Sequence, residues 1–341
     1  MSVKSTKQIF ITGCYRSGTE YITNLLGNHP RLATSMYVVN FMRFCYQRYD
    51  PVGEEDNYSR LIFDATWRMR ARWGVRLDVH ALLDECQQRG QISYAFLYDL
   101  MMSRLLLDEQ KTIWSEKNQL LWSKIPDFLE LFPEGQVIHV LRDPRSVLAS
   151  FKKNTYVPPP AYLGAIFNCF DSMQKALQYQ QSLPPARYRL ICFEDVLGEP
   201  EASLRSLYDF LGLDATHDLL SQDDWRTSSG ERWNHNSAFM SANDDGKKFD
   251  AQAARHRWKT ELTPADLALC EAVNAVGMEA FGYVHSGRTT PWPTMIKSLI
   301  EDQRLTQYLR RWLVAGQGVE EFPTDPIEPQ NWEENALRKA A

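Results

Sequence analysis

The chain has 341 residues, 44% apolar and 24% charged, with a formal net charge of -5, which is the make-up of one large globular α/β domain or two modest ones. No run approaches the ~20 apolar residues of a membrane-spanning helix. The acidic balance argues against a general nucleic-acid binder, so an anionic ligand needs a local basic pocket.

The N-terminus, MSVKSTKQIF, passes into a strand without the apolar region of a secretory signal. Six cysteines (Cys14, Cys45, Cys86, Cys169, Cys192 and Cys270) are scattered with no CxxC pair. Disulfides and zinc are therefore not expected, and a reducing cytoplasm is the expected compartment.

The first element is QIFITGCYRSGTEYITNLLGNHP, residues 8–30. An apolar strand, Ile9–Thr12, runs into a loop bounded by Gly13 and Gly18, and the helical pattern Tyr21, Ile22, Leu25, Leu26 follows. The glycines let the backbone curl and approach a ligand. The amides of Ser17, Gly18 and Thr19 are expected to point at an anion where the helix macrodipole favours one. Arg16 adds a fixed charge, and Ser17 and Thr19 add hydroxyls. A nucleotide-hydrolysing loop needs Lys and then Ser or Thr at its end; Thr19 and Glu20 stand there instead. Neither a bound metal nor nucleoside triphosphate hydrolysis is expected. Glu20 opposes an anion unless it turns away or serves in acid–base chemistry.

Residues of about 60–130 read as a long, mostly helical stretch, including LDVHALLDECQQRG with Val79, Leu82, Leu83 and Cys86 at helical spacing. A second buried strand, Val137–Leu141, ends at Arg142 in VIHVLRDPRSVLASFKK. Asp143 suits an N-cap and Pro144 the first helical position. Val147, Leu148 and Phe151 pack inward, leaving Ser146 and Ser150 on a shared face. Arg142 thus sits at the carboxyl end of its strand, where open α/β sheets bind ligands.

VPPPAY breaks the chain before a helix over roughly 162–182, and Arg189–Phe193 is a third strand. EPEASLRSLYDFLGL reads as a helix that ends on glycine. Residues 228–248 read as a long polar surface loop, and loops of that length are often functional. TPADLALCEAVNAVGMEAFGY opens with Thr263 as N-cap. One amphipathic helix, IKSLIEDQRLTQYLRRWL, and a polar tail close the chain. Strands followed by helices predict an α/β fold, a single domain with a central parallel sheet flanked by helices. Its main body is expected over 1–285, and a C-terminal helix and tail over 286–341.

Taken together, GCYRSGTEYITNLLGNHP and RDPRSVLAS resemble the two anion motifs of the PAPS-dependent sulfotransferases, where PAPS is 3′-phosphoadenosine 5′-phosphosulfate. FEDVLGEPEASLRSLYDFLGLD looks like the strand-and-helix block of bacterial and carbohydrate- or protein-type members. WNHNSAF (233–239) and HRWKTELTPADL (256–267) are similar to the family's late loop and RW-type segment. The resemblance covers roughly residues 7–285 and implies a P-loop NTPase-like sulfotransferase fold. The implied reaction moves a sulfuryl group from PAPS to a hydroxyl or amine, releases PAP, and needs no metal.

On the same resemblance Tyr15, Arg16, Ser17, Gly18, Thr19 and Glu20 hold the 5′-phosphosulfate, while Arg142 and Ser150 hold the 3′-phosphate. Asn236 and Ser237 are expected to contact the nucleotide, and Arg257 and Trp258 to reach the 3′-phosphate and adenine. Arg16 stands where many members carry a lysine, and because arginine keeps its proton its role would be electrostatic. Lys117 falls near the family's transition-state lysine.

The glutamate that related enzymes carry after the first helix is absent from TSMYVVNFMRF, residues 34–44. Glu116 is the leading substitute as base, with His80, Glu20 and Glu54 behind it. Residues 35–110 are expected to line the acceptor cleft. Tyr37, Phe41, Phe44, Tyr46 and Tyr49 would suit an apolar or sugar-like body, or belong to the core. The expected acceptor is a small molecule, a glycan or a lipid-like compound. The alternatives are a P-loop kinase for small molecules and an inactive PAP-binding protein.

Overall fold

The computed structural model describes residues 6–36, 38–154, 159–215, 218–221, 225 and 251–321. Five parallel strands form its sheet: β1 (Lys7–Gly13), β2 (Leu32–Met36), β3 (Ile113–Gln119), β4 (Gln136–Leu141) and β5 (Tyr188–Cys192), in the order β2-β3-β1-β4-β5. The helices are α1 (Thr19–Gly27), α2 (Phe41–Phe44), α3 (Glu55–Trp73), α4 (Val79–Arg89), α5 (Tyr94–Leu106), α6 (Ile125–Leu131), α7 (Pro144–Asn154) and α8 (Gly164–Ser182). Then come α9 (Phe193–Gly198), α10 (Pro200–Leu211), α11 (Ala251–His256), α12 (Trp258–Glu261), α13 (Pro264–Ala280), α14 (Trp292–Ile300) and α15 (Gln303–Ala315).

Strand periodicity divides the core. Along β1, Phe10 joins the larger apolar cluster while Ile9 and Ile11 join the smaller one on the other face. In β4, Val137 faces the first cluster and Ile138 and Val140 the second. Side chains alternate across a strand, so a sheet buried on both faces needs apolar residues at successive positions. The helix α1 lies on the smaller side with α10, through Ile22, Leu25, Leu26, Leu204 and Leu207.

The three strands expected from sequence are present, and two more accompany them. The stretch of about 60–130, expected to be mostly helical, contains β3. Its sequence, IWSEKNQ, has few of the apolar residues that mark a buried strand, yet all seven of its residues are buried. Hydrogen bonding to β1 on one side and β2 on the other fixes it.

Capping residues behave as their chemistry dictates. The Thr263 hydroxyl accepts from the Asp266 amide at 3.1 Å, and the Asp143 carboxylate accepts from the Arg145 amide at 2.9 Å. The single C-terminal helix expected is instead two, α14 and α15, because Asp302 accepts from the Leu305 amide and starts a new helix. The chain after α15 is tied to α8: the Asn168 amide donates to the carbonyls of Val319 and Glu321, each at 2.8 Å. Among the described residues no helix is long and apolar enough to cross a membrane.

Candidate active site at the carboxyl end of the sheet

The loop after β1 is tighter than a simple cradle. The Ser17 amide and hydroxyl both donate to the Cys14 carbonyl, at 3.2 and 2.7 Å. The expectation that the Ser17 amide points at a ligand is thereby corrected, since Ser17 closes the turn instead. Gly18 adopts φ 92° and precedes α1, whose first-turn amides, that of Thr19 among them, have no acceptor within the helix. A Cβ on Gly18 would lie 2.2 Å from the Phe193 ring, and one on Gly13 would lie 2.5 Å from the Val140 carbonyl oxygen. Both glycines are therefore required by close packing against β4 and α9.

Arg16 has the left-handed φ of 66°, and its Nε donates to the Ser150 hydroxyl at 3.0 Å. Arg142 donates from Nη1 to the Arg16 carbonyl at 2.7 Å and from Nη2 to the Ala254 carbonyl. Its guanidinium lies 5.0 Å from the centre of the Phe193 ring. Residues of the first loop, of the turn after β4 and of α7 thus meet at the carboxyl end of the sheet. Arg142 is buried, and its Nε has no partner among the described residues. Burial lowers its pKa, while Glu194 opposes the shift and Arg16 and Arg257 add to it. An arginine nevertheless keeps its proton, so a buried positive group with one donor left over stands beside the loop.

Adjacent residues of β3 point to opposite faces. Lys117 and Gln119 reach towards α1: Lys117 Nζ lies 3.3 Å from Glu20 Oε1, and the Gln119 amide donates to the Thr19 hydroxyl at 3.3 Å. The Lys117 side chain is fully buried. Burial pulls its pKa down to about 8, Glu20 raises it and Arg16 lowers it further.

Glu116 turns to the other face. Its Oε1 accepts from the Asn40 amide at 2.5 Å, and its Oε2 accepts from the Tyr98 hydroxyl at 2.6 Å and the Asn118 amide at 3.1 Å. Lys117 and Glu116 are consequently neighbours in sequence without sharing a face. The absence of an acid in the segment around Asn40 also has a physical counterpart, because the Asn40 backbone receives its carboxylate from Glu116 on β3.

Other candidates fall elsewhere. His80 and Glu54 are exposed, in the first turn of α4 and just before α3. Tyr15 is half-buried against the larger core. Arg257 is half-buried ahead of α12. The Trp258 ring lies 4.1 Å from the Arg145 guanidinium, and Arg145 is itself bound to Asp143 and Glu271. Trp258 and Arg145 line an open cleft of about 390 Å³ with Asp143, Glu194 and Tyr283. Phe41 is core, stacked on Tyr98 at 4.5 Å. Phe44 carries the buried Arg68 guanidinium over its ring at 4.2 Å. Asn236, Ser237 and Tyr37 lie outside the described residues.

Sequence reasoning missed Phe193, which backs both Gly18 and Arg142, and Gln119, which meets Thr19. The period of two from Lys117 would have found Gln119 once β3 was known to be a strand.

Comparison with known proteins identifies the family. A family model described as "Sulfotransferase family" matches residues 8–218, more than half of the chain. The omega-hydroxy-beta-dihydromenaquinone-9 sulfotransferase of Mycobacterium bovis is 32% identical over 108 residues, 28% of this chain and 28% of that protein. Carbohydrate sulfotransferase 6 of Homo sapiens is 25% identical over 174 residues, 43% of this chain and 41% of that one. The alignments therefore reach less than half of these relatives. Among solved structures, the sulfotransferase domain of the Synechococcus PCC 7002 olefin synthase shares the fold, with a TM-score of 0.51 at 21% identity over 82% of this chain and 96% of that one. The segments Gly13–Thr19 and Arg142–Ser150 lie inside the matched span, and the chain belongs to the sulfotransferase family.

Proposed function

We propose that this chain moves a sulfuryl group from PAPS to a hydroxyl or amine of an acceptor and releases PAP. The observation that carries the reading is the bridge from Arg16 to Ser150 with Arg142 beneath it, which joins the two anion motifs at one end of the sheet. The donor set fits a nucleotide with two anionic groups, since the buried Arg142 guanidinium keeps an Nε without a partner among the described residues beside the loop. Arg16, Lys117 and the start of α1 would hold the phosphosulfate end, and Arg142 and Ser150 the 3′-phosphate.

When bound, PAPS supplies a sulfuryl group on a phosphosulfate linkage, from which an acceptor oxygen or nitrogen displaces PAP and gives up its proton. Arg16 contributes fixed charge there. Lys117, with its depressed pKa, contributes a charge and a transferable proton at Nζ. Glu116, first read as the base, fits a positioning role better: three donors occupy its carboxylate, and it anchors Asn40 and Tyr98 against β3.

Thr19 and Glu20, in place of lysine and serine, support a reaction without a metal. The acceptor is a hydroxyl- or amine-bearing compound held by residues 35–110, lipid-like or carbohydrate as in the names of the two relatives. Cytoplasmic placement is supported by six unpaired cysteines.

Thermal melts with PAP and with ATP–magnesium test the donor, because a ligand at about 100 times its Kd adds roughly 2.7 kcal/mol to stability. PAP is expected to raise the Tm of the wild type and not of Arg142→Met. Stabilisation by ATP–magnesium with none by PAP would overturn the reading. Labelled sulfate passing from PAPS to pooled alcohols, phenols, glycans and lipids then identifies the acceptor class.

A further inference from the structure

Glu20 is the second residue of α1, at the position where a nucleotide-hydrolysing loop carries the hydroxyl that holds magnesium beside the phosphates. A hydroxyl donates a hydrogen bond to an anion, whereas an ionised carboxylate only accepts. Its side chain is 15% exposed and reaches Lys117, whose own side chain is fully buried, at 3.3 Å. A buried ammonium without a counter-charge is costly, and Glu20 supplies that charge from the adjacent helix.

Lys117 is therefore already paired with a carboxylate before any ligand arrives. Arg16 is close enough to lower the Lys117 pKa, so both Glu20 and Arg16 act on Lys117. An incoming 5′-phosphate must take Lys117 over from Glu20 or share it with a like charge.

We infer that Glu20 is an internal counter-anion of the donor site, competing with the nucleotide 5′-phosphate for Lys117 and so setting how tightly PAP is held. This rests on the donor reading proposed above. Without the carboxylate the loop binds the 5′-phosphate more strongly and releases the product more slowly. Glu20 is a positioning residue in this account, acting on the nucleotide through Lys117.

The test is calorimetric titration of wild type, Glu20→Gln, Lys117→Met and the double variant with two probes, PAP and adenosine 3′-phosphate, the second lacking the 5′ group. Glu20→Gln is expected to lower the Kd for PAP by about tenfold and to leave that for adenosine 3′-phosphate unchanged. The gain should largely vanish in the Lys117→Met background. Glu20→Thr, which restores a hydroxyl, carries the same expectation should the glutamine variant fold poorly. An unchanged or raised Kd for PAP in a folded Glu20 variant overturns the inference, as does an equal gain for both probes. If the wild type binds neither probe, the donor reading falls and the inference with it. Binding of both without the Glu20 effect sinks the inference alone.

Discussion

Gly18→Ala is the sharpest perturbation of the loop, because two independent costs meet at that residue. The backbone there has φ 92°, a region where an L side chain costs about 1–2 kcal/mol. The new Cβ would also lie 2.2, 2.4 and 2.7 Å from three ring atoms of Phe193, where ordinary contact begins at 3.4 Å. Phe193 has little room to yield: it is 2% exposed, Tyr21 meets its ring edge-on at 5.7 Å, and Arg142 lies 5.0 Å from its centre. Forcing bulk into such packing costs roughly 1–3 kcal/mol, so the substitution should destabilise by about 2–5 kcal/mol in total.

Urea denaturation of Gly18→Ala, Phe193→Ala and the double variant measures this. Removing the ring alone should cost about 3–5 kcal/mol. The double variant should cost less than the sum by the overpacking share, leaving only the backbone share additive. A loss below about 1 kcal/mol for Gly18→Ala, or strict additivity in the double variant, would refute the close approach of the loop to α9.

Lys117→Met should lower labelled-sulfate turnover by about 10–150-fold, the worth of one charged hydrogen bond of roughly 1.5–3 kcal/mol; undiminished turnover would remove Lys117 from the reaction. Because burial brings Lys117 down to about 8, with Glu20 and Arg16 as its charged neighbours, PAP affinity should be level below pH 8. It should weaken by up to about tenfold per pH unit above that, and Lys117→Met should abolish the slope. In the free protein the sign is opposite for stability: between about 8 and 10.5 the unfolded chain holds this proton more tightly, so this group's contribution improves as pH rises. Glu116→Gln should cost roughly 1.5–3 kcal/mol in urea denaturation, since the carboxylate accepts from Asn40 and Tyr98. Full stability with lost turnover would return Glu116 to the role of base.

Local chemistry was readable along the chain because few neighbours decide it. Gly13 and Gly18 mark a turn that side chains would block, Asp143 and Thr263 begin helices through their own side-chain oxygens, and Gly212 ends α10 at φ 67°. Apolar runs likewise announced β1, β4 and β5, which carry the adjoining motifs. The strand β3 was illegible for the opposite reason. Its polar residues are buried by partner strands and helices that lie far away in sequence, so no local pattern announces their burial.

The site followed the same division. Sequence by itself determined the residue types at the loop and at the start of α7, and with them the expectation of an anion rather than a metal-bound triphosphate. Only the tertiary structure decided which charges meet: Arg16 with Ser150, Lys117 with Glu20, and Glu116 with Asn40 on the opposite face. Those pairings depend on strand order and on the alternation of side chains across β3, and both are settled when the sheet assembles.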